Sequence, residues 1–208
     1  MSIFIDMNKK KSKLNLFRTL VQRTGVIHAR DLPPMGIPHP YLGKLCAEGS
    51  IVKIGRGLYM TSIGFENPHA GLAQVSKAVP KGVVCLLSAL RFHEIGTQSP
   101  SKIWIAIDRR AAAPRLKCLK IQVVRFSGAS LAEGIDEHNI AGVNVRVYNP
   151  AKTVTDCFKY RNKIGLDIAI EALREALRER KCTVDELWRY ANICRVPNVI
   201  RPYLEAVV

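Results

Sequence analysis

Between Ile51 and Met60 the chain reads Ile-Val-Lys-Ile, Gly-Arg-Gly, then Leu-Tyr-Met, two short β-prone runs joined by a glycine-flanked arginine. Such a pattern is a hairpin with a tight turn, and it holds the Arg56 guanidinium out at its tip. What precedes it fixes the context. Leu14, Leu16, Phe17, Leu20 and Val21 repeat at helical spacing after Ser12, a good N-cap, and Gly25 ends the run. A second short helix is predicted from Ile27 to about Leu32, broken by Pro33-Pro34. A third is predicted from near Pro38 to Ala47 or Glu48, with Gly49 as its stop. Three short helices followed by a two-stranded hairpin is the order of a winged helix-turn-helix. The prediction is therefore a mobile basic tail over 1–11, a winged domain over 12–62, a linker over 63–71, and an α/β domain over 72–208.

Charge supports a polyanionic partner. The chain of 208 residues carries a net charge of +15. Residues 1–60 hold ten Lys/Arg against three Asp/Glu, so the excess per residue is about twice as high at the front as in the rest. In a winged domain the third helix lies in the major groove of double-stranded DNA, and the wing reaches the neighbouring backbone. The candidate DNA-binding residues are His39, Tyr41 and Lys44 on that helix, with Lys53 and Arg56 on the wing. Leu42 and Leu45 are expected to face inward, and the small or ringed Pro40 and Gly43 allow close approach.

Behind the linker, a helix is predicted at Leu72–Val79, and another from a Ser88 cap through His93. Three strands follow, at Lys102–Ile107, Lys120–Phe126 and Val143–Tyr148. Helices are then expected at Ala151–Tyr160, Gly165–Arg180, from Thr183, and at Asn198–Val207. Leu166, Ile170, Leu173 and Leu177 are the expected buried stripe of the second of these. Thr183 and Glu186 form a capping box. A secondary basic patch comprises Arg109, Arg110, Arg115, Lys117 and Lys120, with no acid from 109 to 125. It offers extra phosphate contact or a dock for an acidic partner.

The six cysteines form no C-x-x-C pair and no zinc-spaced cluster, which fits reduced thiols in the cytoplasm and no metal or cofactor. The apolar run at the N-terminus is too short for a signal segment, and no stretch reaches the length of a membrane span.

Two segments of the second half, with the hairpin segment Leu45–Tyr59, carry a resemblance. They are Leu87-Ser-Ala-Leu-Arg-Phe-His-Glu-Ile-Gly96 and Gly142-Val-Asn-Val-Arg-Val-Tyr-Asn-Pro-Ala-Lys-Thr-Val-Thr-Asp-Cys-Phe158. Over about residues 12–180 the chain resembles the AbiEi-type antitoxins of abortive-infection, type IV toxin–antitoxin systems. The resemblance implies a transcriptional autorepressor that binds promoter repeats, with a second domain that counteracts a nucleotidyltransferase-like toxin in phage defence. Ala151 stands where that family has an acidic residue. From the residues alone, Ser88 is a cap, His93 a packing histidine, and Lys152 and Asp156 an i,i+4 pair on a helix face.

A DNA-targeted, metal-dependent nuclease is the alternative. It needs carboxylates on neighbouring strands to hold the metal. Asp108 ends one strand, but Lys120-Ile-Gln-Val-Val-Arg-Phe126 offers none. No Asp-x-Asp, Gly-x-Ser-x-Gly elbow or phosphate-binding glycine loop occurs, and Ser88 and His93 do not face each other on one helix. The expectation is a binding protein without enzymatic activity.

Overall fold

The structure is a computed structural model that describes residues 15–21, 23–114, 116 and 119–207. The tail at 1–11, the Ser12 cap, Leu14, Arg115 and Lys117 lie outside the described residues. The fold is of the mixed α/β, α+β kind, with a three-stranded and a five-stranded sheet. The chain divides into two compact units. The first runs to Pro80 and takes in 139–145; the second holds most of the remainder, including 81–114, 119–138 and 146–207.

In the first unit, helix α1 covers residues 15–21. The chain then enters strand β1 (Val26–His28), two 3-10 turns (Ala29–Asp31 and Pro33–Met35), helix α2 (Pro40–Ala47), and the hairpin β2 (Ile51–Gly55) and β3 (Leu58–Thr61). The expected second helix is thus a strand and turns. Ile27 and its β-branched neighbour Val26 pair with β3, Val26 opposite Met60 and His28 opposite Leu58, which makes the sheet order β1-β3-β2. Tertiary pairing overrides a weak local helix signal there. Phe17, Leu32, Ile37, Leu42, Leu45 and Ile51 make the core of this unit.

The segment expected as a linker is folded. Thr61 caps helix α3 (Ser62–Glu66), its hydroxyl accepting from the Gly64 N–H. Helix α4 (Ala70–Ala78) follows, buries Leu72, Ala73 and Val75, and packs against β1. The boundary therefore falls near Pro80, where proline removes a backbone donor.

The five-stranded sheet is made of strands β4 (Val83–Val84), β5 (Ile103–Asp108), β6 (Ile121–Phe126), β7 (Ile135–Ile140) and β8 (Val143–Tyr148), in the order β6-β5-β4-β8-β7; the end of β7 and the start of β8, within 139–145, are counted with the first unit and the rest with the second. The sequence missed β4 and β7: one is two residues long, and the other reads Ile-Asp-Glu-His-Asn-Ile, too polar for a strand signal. The pairing of β5 with β6 is parallel and that of β4 with β5 antiparallel. The helices are α5 (Leu86–Phe92), α6 (Ala129–Ala132), α7 (Pro150–Lys159), α8 (Arg161–Ile164), α9 (Leu166–Arg178), α10 (Val184–Cys194) and α11 (Pro197–Glu205).

Helix α7 is the axis of this unit. Pro150 occupies its first turn, and Asn149 caps it by accepting from the Lys152 N–H. Every residue from Ala151 to Phe158 is buried, because α5, α9, α10 and α11 all pack on this helix. On α9 the buried stripe is Ala169, Ala172, Leu173 and Ala176, whereas Leu166 is exposed. Small side chains let the helices approach closely, so the core face is offset from the leucine stripe that hydropathy favoured. Among the described residues no helix is long and apolar enough to cross a membrane.

Candidate nucleic-acid interface

Helix α2 sorts its residues by face. Tyr41, Leu42 and Leu45 are buried, while His39, Pro40, Gly43 and Lys44 are exposed. His39 stands at the helix N-cap without a side-chain cap bond, so its ring is not spent on the backbone. Tyr41, a candidate contact in the sequence, belongs to the core. Its ring lies 5.7 Å from Lys44 Nζ, which braces that cation on the outward face. Arg18 pairs with Glu48 at 3.2 Å, neutralising the one carboxylate at the end of α2.

The β2–β3 hairpin carries the other two cations. Lys53 is exposed on β2, and Arg56 is exposed in the turn. The register slips between Lys53 and Gly55, which adds a bulge just before the tip. Gly57 holds φ +69°, a conformation that glycine adopts freely. Among the described residues Lys44, Lys53 and Arg56 form no ion pair. Among the described residues the first unit thus presents a small-residue helix face and three exposed cations that form no ion pair.

The hairpin is tied down from below. The Ala29 N–H donates to the Gly57 carbonyl at 2.7 Å, and a Cβ placed on Gly57 would lie 3.2 Å from His28 Cε1. His28 Nδ1 accepts from the Arg30 N–H, and the His28 N–H donates to Asp31 Oδ2, each at 3.1 Å. Asp31 pairs with Lys77 of α4 at 2.7 Å, and Arg30 Nη2 donates to the Lys77 carbonyl. Burial, with Arg30 adding to it and Asp31 opposing, holds the His28 pKa below its ordinary value, and Nδ1 is the ring nitrogen that accepts, since the Arg30 N–H can only donate. Sequence reasoning missed His28 because it lay in a segment read as helix.

In the second unit the sequence motifs are absorbed by packing. Ser88 lies inside α5, whose N-cap is Cys85, and its hydroxyl accepts from the Trp104 N–H at 2.9 Å; it is not a cap. His93 Nε2 contacts the Tyr148 carbonyl at 2.7 Å, and burial lowers its pKa. Lys152 Nζ sits 2.5 Å from Asp156 Oδ2, with both side chains wholly buried. The ammonium also lies 4.1 Å from the Tyr148 ring and 4.7 Å from the Phe126 ring. Cys194 Sγ donates to the other carboxylate oxygen at 3.3 Å. Gly134 belongs to this site: a Cβ there would come 2.8 Å from Lys152 Cβ.

The secondary basic patch begins where β5 ends. Arg109 and Arg110 are exposed in the loop, and Lys120 is exposed before β6. Arg125 Nη1 donates to the Arg109 and Ala111 carbonyls at 2.8 Å, which holds that loop against β6. Asp108 Oδ1 accepts from the Arg110 N–H at 2.8 Å. Its parallel neighbour across the sheet is Phe126. Among the described residues no group of three or more His, Cys, Asp or Glu could hold a metal ion.

No family model matches the chain, and no curated protein matches it. Among solved structures it is similar to the RV2827C protein from Mycobacterium tuberculosis, with a TM-score of 0.54 at 15% identity over 84% of this chain and 69% of that one. At that identity the likeness concerns the fold.

Proposed function

We propose that this chain is a sequence-specific DNA-binding repressor of its own operon, and an antitoxin that counteracts a nucleotidyltransferase-like toxin. Its first unit serves as a winged helix-turn-helix, with α2 as the recognition helix and the β2–β3 hairpin as the wing. The observation that carries the reading is the division of α2. Its apolar residues Leu42 and Leu45 are buried with Tyr41, while Lys44 and His39 stand exposed beside a glycine and a proline. A helix face of that kind can approach base edges, and an exposed Arg56 can meet the adjacent phosphates. Arg109, Arg110 and Lys120, with Arg115 and Lys117 of the same run, are a basic stretch of sequence that adds phosphate contacts.

The antitoxin half of the proposal rests on the ordered segments at Leu87–Gly96 and Gly142–Phe158, which resemble AbiEi-type proteins. Their polar residues hold the second unit together, so counteraction of a toxin belongs to the surface that this core supports. Titrating the purified protein into duplex DNA from upstream of its own gene, beside a random duplex, tests the DNA half. Tighter binding to the upstream duplex is expected; equal binding to both would leave a non-specific polyanion binder.

A further inference from the structure

We propose that His28 is a positioning residue for the wing: it sets where the Arg56 guanidinium meets DNA, without touching DNA itself. The inference rests on the reading of the β2–β3 hairpin as a DNA-contacting wing and deepens it.

A two-stranded hairpin is a weak support for a charged tip. Its turn can pivot, and a mobile cation gives up entropy when it binds. Here the turn is held by a residue from outside the hairpin. His28 closes β1 opposite Leu58, the first residue of β3 and the one that follows Gly57. Its ring lies directly against Gly57, and the next peptide, Ala29, hydrogen-bonds to the Gly57 carbonyl at 2.7 Å. The ring is itself fixed. Nδ1 accepts from the Arg30 N–H while the Asp31 carboxylate accepts from the His28 N–H, a reciprocal capping box around the 3-10 turn. Asp31 and Arg30 are in turn anchored to Lys77 at the end of α4. An unbroken chain of contacts therefore runs from α4 through the capping box and the His28 ring to the residue beside Arg56.

The ring also accounts for the absence of a side chain at 57. A Cβ there would press on His28 Cε1 at 3.2 Å, closer than most such contacts. Glycine serves two needs at that position, the positive φ and the room for the imidazole. An Asn at 28 keeps a cap acceptor and loses the ring, so the two roles of His28 can be separated by substitution.

The test counts phosphates. Binding of the full chain to a random-sequence duplex is measured across a salt series, and the slope of log K against log salt reports the counterions released. Wild type, Arg56→Ala, His28→Asn and the double variant are compared, each checked for an unchanged thermal midpoint. Arg56→Ala is expected to lower the slope by about one. His28→Asn should lower it comparably while leaving the fold intact, and adding Arg56→Ala to it should then change little. A wild-type slope in His28→Asn would overturn the inference, as would a further full loss in the double variant. Should Arg56→Ala itself leave the slope unchanged, the wing would not contact phosphate, and the parent reading would fall with the inference.

Discussion

Lys152 and Asp156 form an ion pair at 2.5 Å in which neither side chain reaches solvent, one turn apart on the central helix of the second unit. Burial pushes the Asp156 carboxyl up, and the Lys152 ammonium and the Cys194 thiol oppose it. Taking two charges out of water is costly, and close pairing with full hydrogen bonding is what offsets it. Breaking the pair from one side leaves a bare charge in the core. Lys152→Met alone should destabilise the protein by about 3–5 kcal/mol, and Asp156→Leu alone similarly. The double variant should recover most of that loss. Urea unfolding of all three checks this; additive losses in the double variant would mean that the pair is not the coupled unit described here.

Acid should weaken the fold. Burial is the first cause that lowers the pKa of both His93 and His28 below the ordinary value of 6.5. The unfolded chain then binds more protons than the folded one in the window just below that value, so stability rises with pH there. Their contribution is complete above about pH 6.5 and is lost as the pH falls through it towards the depressed folded values. The thermal midpoint should drop between about pH 7.5 and about pH 5.5, and the drop should be smaller in His93→Gln. An equal drop in the variant would remove His93 from the account.

The loop 94–97 is fastened to α9 by carboxylates. Glu175 Oε2 accepts from the Gly96 N–H at 2.7 Å, and Glu171 Oε1 accepts from the Thr97 N–H and hydroxyl. The sequence suggests a different use for both, as i,i+3 partners of Arg174 and Arg178. Only Glu175 and Arg178 approach, at 3.9 Å, and Arg178 is largely exposed. Glu175→Gln should cost about 1–3 kcal/mol through the lost charge-assisted bond, whereas Arg178→Ala should change stability by under about 0.5 kcal/mol. Chemical unfolding of both variants decides between the two roles. Comparable losses would restore the helix-surface pair.

How legible these features were depends on how local they are. The hairpin at Ile51–Met60, the Thr183–Glu186 capping box and the start of α7 beside Ala151 depend on neighbours within a few residues, and the sequence predicts all three. Strand β1 depends on Met60 and Leu58, thirty or more residues away, so Val26–His28 reads as helix until the partner is known. The same holds for the site. Lys44 and Arg56 stand out as cations beside glycine, and Tyr41 stands four residues before the inward Leu45, a local mark of core, but nothing local marks His28 as a support. The linker reading failed for a similar reason: Gly64, Pro68 and Gly71 read locally as a break, while burial of Leu72, Ala73 and Val75 keeps α4 within the first unit.

The two proposed tasks should separate by mutation in the intact chain. Lys44 and Arg56 lie in the first unit, whereas Leu87–Gly96 and Arg146–Phe158, on which the antitoxin proposal rests, lie in the second. A Lys44→Ala/Arg56→Ala double variant should lose promoter repression in a reporter assay. It should still restore growth when the proposed nucleotidyltransferase-like toxin is expressed from an unrelated promoter. Loss of rescue by that variant would mean that counteraction of the toxin runs through DNA binding.

The central claim is that α2 reads base sequence while the wing holds phosphate, and competition binding tests it most directly. Affinity for the upstream duplex and for a random duplex is measured for wild type, His39→Ala, Lys44→Ala and Arg56→Ala at fixed salt. The account predicts that His39→Ala and Lys44→Ala each cost about 1–3 kcal/mol on the upstream duplex and much less on the random one. Arg56→Ala should weaken both duplexes alike. Equal losses on the two duplexes for all three variants would contradict α2 as the recognition helix.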